Sequence, residues 1–153
     1  MKELIEYREK MIARLENAAR EFCTACEAVG DPFAKVEGEW TLHQIASHTR
    51  DVEKLVYGER IRQTLHSDNP TFKSFDADAW MATRYNPDEA LSAILNEFTS
   101  NVEALCVTLK DLPQPAWSRE SRHETIGGEL TLQLWVERSL EHIEEHLKTI
   151  KNA

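Results

Sequence analysis

The segment His142-Ile143-Glu144-Glu145-His146 carries two imidazoles at positions i and i+4. On an α-helix that spacing puts the rings about 40° apart and about 6 Å along the axis, so both stack on one face and can converge on a single cation. Both histidines fall beside the apolar stripe of Leu132, Trp135, Val136, Ile143, Leu147 and Ile150, whereas Glu137, Glu141 and Glu144 point the other way. Far upstream, His48 lies among Ile45, Val52 and Leu55, the inward positions of another amphipathic run. A third imidazole would then project into the same interior from a neighbouring helix, as metal sites in helix bundles are built. Three neutral imidazoles suit zinc, nickel, copper or iron, and they leave at least one coordination position open to water or substrate. A divalent ion held this way acidifies a water or a thiol, which gives a nucleophile at neutral pH. With unshifted imidazoles the ion would be released below about pH 6. Spacing alone, however, fits equally well with histidines that are simply satisfied inside a core.

Other side chains qualify by position. Asp51 and Glu145 each lie one helical step from a proposed ligand and are candidates for a catalytic base or a supporting carboxylate, with solvated surface charges as the plainer reading. His123, in a connection just before Gly127-Gly128, is a candidate for contact with a substrate or cofactor. His43 points roughly 140° away from His48 and is expected to be exposed. Glu59 falls on the inner stripe of its helix but about 16 Å along it from His48, too far to share an ion. His142-x-x-Glu145-His146 also matches an inverted zinc-protease pattern, but only seven residues follow, too few to supply the further acidic ligand. Cys23-x-x-Cys26 lies deep in a helical run, where cysteines pack as core residues rather than as a redox pair.

Four helices are needed to hold these groups. The first is predicted over about 2–28, with Leu4, Arg8, Met11, Leu15, Ala18, Phe22 and Cys26 at helical spacing and Gly30-Asp31-Pro32 as its stop. The second runs from about 42 to 67, entered through a Thr41/Gln44 capping box with Trp40 before it, and it places Ile45, His48, Val52, Leu55 and Glu59 on one face. The third is expected to be capped by Asn86, with Pro87 in its first turn, and to carry Leu91, Ile94, Leu95, Phe98, Val102, Leu105 and Leu109 inward. The fourth starts near Thr131 and runs to about 151. Residues 70–86 and 113–130 form two longer connections; the first holds Phe72, Phe75, Trp80 and Tyr85 and is expected to pack across the bundle, with a short helix near 76–83. The pattern contains no convincing strand. It specifies an all-α fold, a four-helix bundle with two longer connections, as a single domain over 1–153.

Composition narrows the function classes. Twenty-seven acidic residues against 18 Lys and Arg give a net charge of −9, a field that repels phosphate backbones and argues against nucleic-acid binding. No apolar run approaches the roughly 20 residues of a membrane span, and the N-terminal MKELIEYREK is too charged for a secretory signal, so a cytoplasmic protein is expected; the charge says little about a small-molecule substrate.

The stretch Trp40-Thr41-Leu42-His43-Gln44-Ile45-Ala46-Ser47-His48 resembles the second-helix signature of the DinB-like (YfiT-like) family. Trp80 with Tyr85-Asn86 is similar to that family's middle segment. Gly128-Glu129-Leu130-Thr131-Leu132, followed by His142-Ile143-Glu144-Glu145-His146-Leu147 and Ile150, is similar to its last helix. The resemblance implies a metal triad of His48, His142 and His146, with zinc or nickel as the divalent ion. Many relatives carry another histidine where this chain has Glu145. The family includes bacillithiol S-transferases and a mycothiol-dependent maleylpyruvate isomerase. Resemblance therefore implies activation of a low-molecular-weight thiol for attack on an electrophile, or hydrolase-like chemistry. Relatives often form homodimers, for which the long first helix could supply the face. The alternative is a non-enzymatic stress-response or interaction protein whose metal site is structural or vestigial.

Overall fold

A computed structural model describes all 153 residues. Helix α1 spans Lys2–Val29 and buries Arg8, Met11, Leu15, Ala18, Phe22 and Cys26; it stops at Gly30, whose φ of 86° is a left-handed conformation natural to glycine. A small hairpin follows, β1 at Lys35–Glu37 and β2 at Trp40–Thr41. Helix α2, Leu42–Val52, opens on the capping box read from the sequence: Gln44 N donates to Thr41 Oγ1 at 3.2 Å, and Thr41 N donates to Gln44 Oε1 at 2.9 Å. A single π-helical turn, Glu53–Tyr57, carries the same rod into α3, Gly58–His66. Next come β3 at Thr71–Phe72, the short α4 at Ala77–Arg84 and the long α5 at Leu91–Lys110. A 3-10 turn at Gln114–Ser118, β4 at Glu120–His123 and β5 at Gly127–Thr131 lead into α6, Leu132–Lys151, whose N-terminus is capped by Thr131.

The α1, α2–α3, α5 and α6 rods form the four-helix bundle. Helix α1 packs against both α5 and α6, and α2 packs against the same two, so α1 and α2 lie on a diagonal although they are consecutive in the chain. One apolar cluster of 27 buried residues runs through the middle, with Phe22 and Phe98 in tilted contact at 5.1 Å between centroids. Burying this stripe from all four rods is what makes each amphipathic run helical in context.

The structure departs from the sequence reading at several places. Two small sheets are present where no strand was expected: the β1–β2 hairpin, and a three-stranded sheet in which β4 lies between parallel β3 and antiparallel β5. Their strands are two to five residues long, too short for an alternating pattern to declare itself. Helix α5 begins at Leu91 after Ala90, not at Asn86; Asn86 Oδ1 instead accepts from Asp88 N in a tight turn. The second helix is not uniformly α-helical, and its π turn inserts one residue. From that turn onward the buried positions after Glu53 are Val56, Arg60, Ile61 and Thr64, while Leu55 is 38% exposed and Glu59 pairs outward with Arg62.

Gly58 makes the π turn possible. Its N–H donates to Glu53 O, the long-range bond of a π turn, and a Cβ at this position would sit 2.6 Å from that same carbonyl oxygen. Gly58→Ala should therefore cost about 1–3 kcal/mol through overpacking against backbone, read as a lower melting temperature, despite alanine's better helix propensity.

Candidate metal centre

Helix α6 presents His142 and His146 on one face, and α2 presents His48 toward them. His142 Nε2 lies 3.1 Å from His146 Nε2 and 3.4 Å from His48 Nε2. The three rings meet edge to face, with centroids 4.6 to 5.4 Å apart. Imidazole nitrogens about 2.1 Å from one tetrahedral ion would stand roughly 3.4 Å from each other, a spacing close to the one seen here. The three candidate ligands are the single group of three or more His, Cys, Asp and Glu side chains in the chain close enough to share an ion.

Glu53, which the sequence reading passed over, orients the group. Its side chain is 5% exposed, and its Oε2 accepts from His142 Nδ1 at 2.7 Å. Its Oε1 accepts from the Ser139 hydroxyl, one turn earlier on α6. With Nδ1–H committed to the carboxylate, His142 must offer the bare Nε2 to the centre, the tautomer a metal ligand requires. One lone pair on that atom cannot satisfy both neighbouring Nε2 groups as donors, whereas a cation satisfies all three as acceptors. Glu53 begins the π turn, still in α-helical register with α2; a sequence signal for that turn was a glycine inside a helical run five residues after this glutamate.

Burial governs the protonation of the cluster. It pushes His48 down to about 4 and His146 down to about 3, with the positive charge that a neighbouring protonated imidazole would carry as the next cause. Asp51 and Asp78 oppose the shift at His48 without overcoming it. Glu53 is raised by burial, and its bonds from His142 and Ser139 pull the other way. Trp40 meets His48 edge-on at 5.8 Å, and the Tyr57 ring lies 5.5 Å from His142, so aromatic rings wall the cluster.

The remaining candidates do not join the group. Asp51 is engaged elsewhere: Oδ1 accepts from Arg50 Nε at 3.0 Å and Oδ2 from Trp80 Nε1 at 3.0 Å, which ties α4 to α2. Glu145 is exposed, on the side of α6 that faces Lys10, Met11 and Arg14 of α1. His123 is buried in β4 rather than set in an open loop, and its Nδ1 accepts from Thr125 N at 3.1 Å and Ile126 N at 3.3 Å, bonds that shape the hairpin turn. His43, expected on the surface, is only 1% exposed: its Nδ1 bonds Tyr85 Oη and its Nε2 the Glu89 carbonyl, both at 2.6 Å, so the α4–α5 connection covers it. Cys23 and Cys26 pack in the α1 core as read, with burial raising both thiols, Cys26 to about 12.

The fold and site define a four-helix bundle with three inward imidazoles shared between its second and last long rods. The chain belongs to the DinB superfamily, whose sequence model matches residues 3–150. Solved structures with this fold include YfiT from Bacillus subtilis, described as a probable metal-dependent hydrolase with an unusual four-helix bundle topology; it is 23% identical, the match covers 96% of this chain and 87% of that one, and the TM-score is 0.76. No curated protein sequence matches the chain. No helix is long and apolar enough to cross a membrane.

Proposed function

We propose that the protein is a divalent-metal-dependent enzyme acting on a small molecule, with His48, His142 and His146 as the ligands. The convergence of three Nε2 atoms, one pinned by a buried carboxylate, carries this reading. The description of YfiT as a metal-dependent hydrolase supports it from a chain of the same fold. A structural site would be closed by a fourth protein donor, and none accompanies the three: Glu53 is turned to Nδ1, Asp51 to Trp80, and Glu145 to the outside. An ion bound there would supply Lewis acidity, able to make a water or a thiol nucleophilic at neutral pH. The chain's own part is to hold three neutral imidazoles, fix the His142 tautomer and wall the centre with Trp40 and Tyr57.

The finer proposal is hydrolysis, or S-transfer from a low-molecular-weight thiol, with zinc or nickel as the ion, in a cytoplasmic homodimer. Elemental analysis of protein purified without a metal-affinity tag tests the ion. A screen of small thiols with electrophiles and of ester or amide substrates, each with and without metal, tests the reaction. Sedimentation tests the dimer. A metal-free protein that takes up no divalent ion on titration would end the proposal.

The low pKa values set the pH window. His48 and His146 are depressed below the 6.5 of a free imidazole, so protons compete with the ion only as pH falls toward about 4. Metal retained through about pH 6 and lost on approach to pH 4 is the expected result of equilibrium dialysis, in place of the release near pH 6 that unshifted imidazoles would give. In the metal-free protein the same shifts make folding stability full above about 6.5 and falling as pH drops through the depressed values.

A further inference from the structure

Arg60 is a charged side chain the fold buries without a counter-ion. It is 9% exposed, yet neither Arg60 nor Arg138 takes part in any ion pair of the chain. Its guanidinium carbon stands 4.8 Å from the Trp135 ring centroid and 5.9 Å from that of Phe72, so the plane is held against aromatic faces. A single hydrogen bond, Nη2 to the Lys73 carbonyl at 3.2 Å, anchors one corner. The Nε and Nη1 donors have no partner in the protein, and they are not sealed from solvent. A structural arginine at this degree of burial is ordinarily paired with a carboxylate or fully hydrogen-bonded. This one presents a rigid, charged edge with donors to spare.

Its surroundings point toward the metal centre. Tyr57, one turn before Arg60, has its ring against His142, and burial raises its hydroxyl while Arg60 and Arg138 pull it back. Glu53 and Glu141 are the acidic groups that act on Tyr57 in the opposite sense. Arg60 is also close enough to His123 to add to the lowering that burial imposes there. Along α6, Trp135 beneath Arg60 precedes His142 by seven residues, roughly 10 Å of helix. Exposed Arg138 lies between them in sequence and, like Arg60, acts on the Tyr57 hydroxyl.

We propose that Arg60, assisted by Arg138, is an anion subsite that binds a carboxylate or phosphate group of the small molecule whose reactive end reaches the three imidazoles. The subsite rests on the reading of the triad as the reacting centre, and it defines the substrate class: a small molecule that carries an anionic group apart from the bond that reacts. The planar fork of a guanidinium, fixed by stacking, binds such a group in two-pronged fashion.

Isothermal titration of inorganic phosphate and of succinate into the metal-free protein at constant ionic strength tests it. Arg60→Met, which keeps the stem but removes the charge, should weaken both by about tenfold or more; Arg60→Lys should weaken them less, and Arg138→Ala least. Unchanged affinity in a folded Arg60→Met variant overturns the subsite. Should that variant fail to fold, phenylglyoxal modification of the parent chain mapped by mass spectrometry decides: phosphate should protect Arg60 and Arg138 and leave Arg62 unaffected, and equal labelling of Arg60 with and without phosphate overturns the proposal. His146→Ala should lose the ion and keep phosphate binding, so metal binding retained in that variant would count against the triad alone, and phosphate affinity lost with Arg60 unaltered would count against the subsite. A mercaptocarboxylate compared with its thiol-free acid on the metal-loaded protein identifies the source of the anion. If the thiol adds affinity and Arg60→Met removes it, the charge belongs to a thiol co-substrate; if Arg60→Met weakens both acids equally, it belongs to the electrophilic substrate.

Discussion

Alanine at His146 should abolish divalent-ion binding and leave the helices in place, whereas alanine at His142 should abolish binding and also destabilise the metal-free fold. All three imidazoles supply one Nε2 to the centre, so removal of any should cost more than the roughly 10–100-fold in affinity that loss of a supporting residue costs. The two variants part company over Glu53. His146 makes no bond to the buried carboxylate, and in the metal-free protein its removal takes away a neutral, partly exposed ring. His142 is the partner of Glu53 Oε2. Without it, a carboxylate only 5% exposed keeps the Ser139 hydroxyl alone, and leaving such a group half satisfied costs roughly 1–3 kcal/mol unless it takes up a proton. Metal content measured by elemental analysis, with thermal melts of the metal-free proteins by circular dichroism, gives both readouts. Metal content in His146→Ala equal to that of the parent would refute the centre, and equal melts for the two variants would refute the role given to Glu53.

The three imidazoles were legible in the sequence because their geometry is local or nearly so. An i, i+4 pair needs only that the segment be helical, and the Leu132 to Ile150 stripe establishes that. His48 needed one further step, that its face and the α6 face look at the same core, which a four-helix bundle ensures. The π turn was not legible, because one inserted residue changes no composition and leaves the hydrophobic pattern plausible in either register. With that single insertion Leu55 is outward and Arg60 inward. Pairings that span the chain were equally hidden. Thr71 opposite Arg122, and His43 beneath Tyr85 and Glu89, depend on where two connections cross the bundle, and helical periodicity says nothing of that. The placing of Asp51 and Glu145 was hidden for a related reason. One helical step from a ligand fixes height on the rod but not whether another element, here Trp80 or the solvent side facing α1, claims the side chain first.

Glu53→Gln should separate metal affinity from folding stability in opposite directions. Glutamine has the size of glutamate, and its amide can still serve both partners: the oxygen accepts from His142 Nδ1, and the nitrogen donates to the Ser139 hydroxyl, which rotates to accept. Packing and tautomer are thereby kept, but the negative charge is gone. In the metal-free protein that charge is a burden, because burial raises the Glu53 carboxyl against the help of both hydrogen bonds. The variant should therefore melt no lower than the parent when metal-free. With a divalent ion present, the buried charge no longer strengthens His142 as a donor or offsets the cation, and affinity should fall by about 10–100-fold. Glu53→Ala lacks both the charge and the bonds, so it should lose affinity at least as far and stability as well, through a cavity beside Ser139 and a His142 ring free to change tautomer. Competition against a chelator of known affinity, run beside melts of the metal-free proteins, reads the two quantities separately. If Glu53→Gln binds the ion as tightly as the parent, the carboxylate acts only as packing, and the centre is three imidazoles without electrostatic support.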